Sequence, residues 1–194
     1  MELFGEGIFF SFDHEKVSEW ESRYLKSRRD QFQSLVRRFE NSGVSEWENM
    51  PTVLTPKFVA LHTLSHLLMR QLAFECGYGA SSLCEKIYCG DEDTPMAGIL
   101  IHTGENSSDG SMGGLVRQAK PDRLIPTILT ATKKGTWCSN DPLCREISQR
   151  GRDGLNAAAC HACCLVAETS CPYGNLLLDR QVLLSEEGLL PTGA

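Results

Sequence analysis

The segment "TPKFVALHTLSHLLMRQLAFECG" (residues 55–77) carries its own start and stop signals. Thr55 can cap a helix N-terminus, and Pro56 suits the first helical position, where no N–H is needed. Gly77 suits the left-handed residue just past the far end. Leu61, Leu64, Leu68 and Leu72 form one stripe at helical spacing, and apolar residues fill much of the remaining circumference. A helix this apolar on all sides belongs inside a core rather than on its surface. The segment therefore predicts a central helix around which the other elements pack.

Two polar residues on this helix stand out. His62 and His66 are four apart and so share a face. "HTLSH" has the histidine spacing of a zinc protease, but Thr63 stands beside the first histidine and no glutamate lies between the two. The general base of that mechanism is missing. The pair reads as structural or interface groups, with ligand contact as the alternative.

Working outward toward the N-terminus, "NSGVSEWENMP" (41–51) is turn-rich and marks the expected boundary inside the chain. Before it, Lys16 to Glu40 reads as an amphipathic helix, with Trp20, Tyr24, Phe32, Leu35, Val36 and Phe39 near helical spacing. Arg28, Arg29, Arg37 and Arg38 give it two basic pairs. They are either a solvated face balanced by Glu19, Glu21 and Asp30, or a phosphate-contacting face with Trp20 or Tyr24 stacking on bases. "LFGEGIFFSF" (3–12) reads as a short strand or extended arm.

Toward the C-terminus, "SSLCEKIY" (81–88) reads as a short helix, with Ser82 and Glu85 matching a capping box. "MAGILIHT" (96–103) has strand composition. "GENSSDGSMGG" (104–114) is a loop whose glycines suit a tight turn or, at the start of the "LVRQA" helix, a phosphate cradle. "PDRLIPTILTATKKG" (121–135) leans helical, with Pro126 expected to kink or divide it. "NLLLDRQVLL" (175–184) is a short apolar element, helix or strand, and residues 185–194 read as a flexible tail.

Composition narrows the class. With 194 residues and 41% hydrophobic content the chain can bury a real core, and its net charge of −6 argues against holding nucleic acid by global electrostatics. The N-terminus lacks the positive n-region of a signal peptide, and no apolar run has transmembrane length. A cytoplasmic setting follows as the expectation, where clustered cysteines bind metal or do chemistry more often than they form disulfides. An odd total of nine cysteines points the same way.

Six of those nine lie between 138 and 171, in "WCSNDPLC" (137–144) and "ACHACCLVAETSC" (159–171). Cys138 and Cys144 flank Asp141 and Pro142, which favour a turn. Cys160 and Cys163 have the C-x-x-C spacing by which a knuckle offers two thiolates to one ion. Together they could supply four sulfurs to a closed tetrahedral Zn2+ site, which stabilises folding but leaves no position for substrate. Cys171 could replace one of the four, and His161 could substitute nitrogen for sulfur. An iron–sulfur cluster, or a thiol redox or hydrolytic enzyme, is the competing use of such residues.

Read together, "LHTLSHLLMRQLAFECGY", "MAGILIHTGENSSDGSMGGL", "WCSNDPLC", "NAAACHACCLVAETSC" and "NLLLDR" resemble the MrfA zinc-binding (MZB) domain family, found in or beside bacterial superfamily 2 helicases, in the version seen in DISARM anti-phage defence. The resemblance covers residues 55–184, and residues 1–50, an N-terminal arm and amphipathic helix, match nothing comparable. It implies an α+β fold, a compact mixed helix–strand domain holding zinc through Cys138, Cys144, Cys160 and Cys163. Cys171 matches a further cysteine of the DISARM version, and Cys164 departs from the pattern, where an aliphatic residue is usual. The implied role is an accessory module docked on a larger helicase-bearing protein in anti-phage defence or DNA processing. Nucleic acid would be met directly or through the partner. The chain has no G-x-x-x-x-G-K-[ST] loop, so ATP hydrolysis is expected from the partner. A free-standing homodimer is the rival arrangement, and the modest length implies a standalone subunit or one part of a split protein.

Overall fold

Helix α2 (Pro56–Cys76) begins and ends where its flanking residues dictate. The Thr55 hydroxyl accepts from the Phe58 amide at 3.2 Å, and Gly77 takes a left-handed conformation at φ 76°. The computed structural model describes residues 5–79, 81–91, 93–104 and 113–192. Within them α2 is buried on all sides from Pro56 to Met69, as its composition predicts, and only its last turns carry exposed residues, among them Arg70 and Phe74. The chain is a compact mixed α/β domain built around it.

Strands β1 (Gly7–Ser11), β2 (Leu83–Cys89) and β3 (Ala97–Thr103) form an antiparallel sheet in the order β1-β3-β2. Helices α1 (His14–Asn41), α3 (Gly114–Gln118), α4 (Pro121–Gly135) and α5 (Arg180–Leu184) surround α2 together with that sheet. Val17, Trp20, Tyr24, Phe32, Leu35 and Phe39 of α1 join the same hydrophobic core as α2, as do Val44 and Met50 from the turn-rich stretch that follows. Residues 185–192 fold back on the body. Trp20 Nε1 donates to the Glu187 carbonyl at 2.8 Å, and the Leu189 and Leu190 amides return to Val182 and Leu183.

The stretch 83–89 is a strand, not the helix that its capping-box pattern suggested. Leu83, Glu85 and Ile87 all point inward at period two. The middle member of that trio is a carboxylate, so the hydrophobic alternation is broken at its centre and the strand is concealed. Pro126 neither kinks nor divides α4. It is exposed, and the Asp122 carbonyl that loses its partner lies on an exposed residue near the helix start, where water can serve it. In the 175–184 element only the last five residues are helical.

Of the glycine-rich loop, residues 105–112 lie outside the described residues. At its end Gly113 adopts φ 72° and α3 begins, but the phosphate-cradle reading does not hold. The Val116 amide in the first turn already donates to the Glu6 carboxylate at 3.2 Å.

Gly135, at the end of α4, lies against leucines of α2 and α5. A Cβ there would lie 2.7 Å from Leu67 Cδ1 and 3.0 Å from Leu184 Cδ1. Overpacking of this kind typically costs about 1–3 kcal/mol. Gly135→Val is therefore expected to lower the free energy of unfolding by that amount in a denaturant titration; an unchanged midpoint would show that both leucines simply swing aside.

Candidate metal centre

Four sulfurs converge at the end of α4. Cys138 leaves that helix two residues beyond its C-cap, and Cys144 lies in a 3₁₀ turn, Pro142–Glu146. Asp141 caps that turn by accepting from the Leu143 amide at 2.9 Å. Cys160 and Cys163 come from a tight turn in which the Cys163 and Cys164 amides both return to the Cys160 carbonyl. Arg70, reaching from α2, donates to the carbonyls of His161, Ala162 and Leu165 and clamps this knuckle against the central helix.

The sulfur of Cys138 lies 3.6 Å from that of Cys160, Cys144 lies 3.9 Å from Cys163, and Cys160 lies 3.6 Å from Cys163. All four lie within 4.8 Å of one another. Zinc–sulfur bonds of about 2.3 Å in a tetrahedron place sulfurs roughly 3.8 Å apart. A disulfide needs about 2.05 Å, so these are separate thiols gathered at ligand spacing. The donor set and its dimensions fit a tetrahedral ion.

The electrostatics fit as well. Burial raises the Cys144 and Cys163 thiols. Burial also pushes Cys160 up, but hydrogen bonds from Cys138, Cys163 and backbone amides outweigh it and draw Cys160 down to about 7. Arg180, the first residue of α5, is 0% exposed. Its guanidinium donates to the carbonyls of Ala158, Gly135 and Trp137 and, at 3.4 Å, to the sulfur of Cys144. It forms no ion pair among the described residues. A buried cation of this kind needs nearby negative charge. Four thiolates around a divalent ion carry a net charge of −2 and would provide it. The sequence reading passed over both Arg180 and Arg70, because nothing local marks a charged side chain that will be buried or will clamp a distant turn.

Cys171 and His161 lie elsewhere. His161 is exposed. Cys171 belongs to a second buried group, in which His62, His66, Glu85 and Cys171 bring one ligand atom each within 4.8 Å of one another. Glu85 Oε1 lies 3.0 Å from His62 Nε2 and 2.9 Å from His66 Nε2, and His62 Nε2 lies 3.3 Å from the Cys171 sulfur. His66 Nδ1 lies 3.1 Å from the Cys164 carbonyl. Burial lowers the His62 pKa, and although burial alone would raise Glu85, the two histidines hold that carboxyl well below its ordinary range. Cys164 is fully buried and contributes only its carbonyl to this arrangement.

The basic pairs on α1 do not form one exposed face. Arg28 is paired with Glu187 at 2.6 Å, and Arg38 donates to the Gly154 carbonyl and to Ser34, leaving Arg29 and Arg37 exposed. Trp20 and Tyr24 are buried, with ring centroids 5.6 Å apart, so neither can stack on a base. The same burial removes the aromatic side of α1 as a docking face. No helix among the described residues is long and apolar enough to cross a membrane.

Residues 64–164 match the MrfA Zn-binding domain, a span that includes all four converging cysteines. The DISARM protein DrmB of Bacillus paralicheniformis is 41% identical over 186 residues, which is 95% of this chain and 32% of that protein. The chain thus spans about a third of the length of the curated relative it matches. With the family match running across just over half of the chain and enclosing the sulfur cluster, the chain belongs to the MrfA Zn-binding domain family.

Proposed function

We propose that this chain is a zinc-stabilised accessory module of a helicase-containing assembly, in anti-phage defence or DNA processing, that docks on a larger helicase-bearing protein and relies on it for ATP hydrolysis. The observation that carries this reading is the similarity to the DISARM protein DrmB along 95% of the chain. Zinc is the ion assigned to Cys138, Cys144, Cys160 and Cys163, since four soft thiolates in a tetrahedral arrangement suit it. Four protein sulfurs leave no coordination position for a substrate, which favours a structural role over a hydrolytic one. The net charge of −6 and the burial of Trp20 and Tyr24 favour nucleic-acid contact through the partner, with Arg29 and Arg37 among the exposed basic residues of α1.

The docking face we assign is the outer side of α4. Ile125 and Leu129, one turn apart, are both exposed, and so are Phe74 and Trp137 beside the helix end. Lys134 of α4 sits over the Phe74 ring, 4.9 Å from its centroid. Large apolar side chains exposed one turn apart, as Ile125 and Leu129 are, mark a candidate protein interface.

Two outcomes are expected. Cys160→Ser should lose the zinc bound at the four-cysteine site and lower Tm by at least about 10 °C, since structural zinc in small domains contributes on the order of 10 kcal/mol. A variant that keeps both its metal content and its Tm would remove the zinc assignment. Affinity purification from native cells should recover a helicase-bearing protein with the wild-type chain, and the double variant Ile125→Glu, Leu129→Glu should lose it without altering the thermal melt of the isolated chain. Recovery of this chain alone, at monomer or homodimer mass, would overturn the partnership.

A further inference from the structure

The four-cysteine centre accounts for four of the six cysteines between 138 and 171, and the group of His62, His66, Glu85 and Cys171 remains. It is buried completely: both histidines are 0% exposed, and Glu85 and Cys171 are 3% exposed. With both histidines neutral, as metal ligands must be, its atoms do not make a satisfied hydrogen-bond network. Because a carbonyl can only accept, the contact with Cys164 fixes the proton of His66 on Nδ1. In neutral His66 the Nε2 lone pair then faces Glu85 Oε1 at 2.9 Å, acceptor against acceptor. The same oxygen also faces His62 Nε2, while the other carboxylate oxygen, Oε2, is buried with no hydrogen-bond partner. An ionised carboxylate left half unpaired in a core is costly.

We propose that His62 Nε2, His66 Nε2, a Glu85 carboxylate oxygen and the Cys171 thiolate form a second, structural binding site for a divalent zinc ion in the core beneath α2. The donor set, two imidazoles with one carboxylate and one thiolate, suits zinc. Tetrahedral bonds of 2.0–2.3 Å set such ligand atoms roughly 3.3–3.6 Å apart, so the observed 2.9–3.3 Å separations need to open by only a few tenths of an ångström. The proton on His66 Nδ1, held by a backbone carbonyl, is the arrangement that orients a metal-bound histidine. Binding would release the Cys171 thiol proton to solvent. Glu85 and Cys171 then contribute −2 against the +2 of the ion, so the centre is electrically neutral, as a site without solvent contact requires. The complete burial of all four ligands leaves no route for substrate, which makes the site structural rather than catalytic.

This inference does not depend on the helicase partnership, and the test separates the two metal centres. Zinc is counted by plasma mass spectrometry on untagged, gel-filtered protein. Two ions per chain are expected in the wild type and one in each of Glu85→Gln, Cys171→Ser and Cys160→Ser. Glu85→Gln preserves shape and hydrogen bonding, so a mere hydrogen-bond cluster would leave its zinc content at the wild-type value. One ion in the wild type, retained by Glu85→Gln and lost by Cys160→Ser, would overturn the second site and leave the first intact. Should the variants fail to fold, X-ray absorption at the zinc edge on the wild type decides. Two occupied centres present five sulfur and three nitrogen or oxygen ligands to two ions, from four cysteines and from one cysteine, two histidines and one glutamate. A shell of sulfur alone would rule the second centre out.

Discussion

Helix α2 is sealed from solvent along its whole stretch from Pro56 to Met69, and that single constraint organises the rest of the molecule. A polar side chain buried there is out of reach of bulk water, and several find their partners in other elements. Thr63 meets the Asp179 amide ahead of α5 at 3.0 Å, His66 meets the Cys164 carbonyl, and His62 and His66 both meet Glu85 on β2. Just past that sealed stretch, the exposed Arg70 meets three carbonyls of the cysteine knuckle. These contacts tie α2 to the sheet, to the knuckle and to the start of α5. The apolar residues explain why the helix is central, and the polar ones specify what lies against it.

Charge is managed in two different ways on either side of that helix. A tetrathiolate zinc centre would be negative, and a cation that is itself fully bonded offsets the cost of burying it. Arg180 meets that description, with every hydrogen bond on its guanidinium going to a carbonyl or to the Cys144 sulfur. An arginine suits the task better than a lysine, since its planar fork reaches several acceptors at once and cannot be neutralised by losing a proton. The Glu85 group is flanked, among the described residues, by its own histidines rather than by an arginine. With the proposed divalent ion and the Cys171 thiolate in place it would balance without outside help. The two centres therefore ask different things of the surrounding fold, and only the first needs an arginine.

How much of this was legible in the sequence depends on the range of the interaction that decides each residue. The boundaries of α2 were readable because caps are local: Thr55, Pro56 and Gly77 act within a turn of the chain. β3 and the converging cysteines were readable for the same reason, through an uninterrupted apolar run and short, regular spacings. β2 was not. Its middle inward position is occupied by Glu85, which destroys the alternation by which a strand is recognised, and Ser82 three residues earlier mimics a helix start. The histidine pair is legible on one face of α2, but the motif itself holds no glutamate to go with it. The carboxylate that completes the group comes from 19 residues beyond His66, on a different element. Arg28 and Arg38 were legible as charges, but their partners, at Glu187 and Gly154, lie more than a hundred residues away.

The segment from Cys160 to Cys171 shows what the two centres do in common. Apart from a three-residue 3₁₀ turn it has no regular secondary structure, so no helix or strand ladder fixes its path. Its first turn is held through Cys160 and Cys163 on one side and through Arg70 on the other. Its middle returns through the Cys164 carbonyl to His66, and its end places Cys171 against His62. Just beyond it, Asn175 adopts φ 56°, and its side chain bonds both the amide and the carbonyl of Val166, closing the segment on itself. A stretch with so little backbone hydrogen bonding of its own keeps one conformation only if side chains from the rigid core hold it at several points. Here those points alternate between the sulfur cluster and the face of α2. The knuckle and the histidine face consequently cannot move independently. Loosening either one frees the segment between them, which is the physical reason to regard the two buried groups as one structural unit built on a single helix.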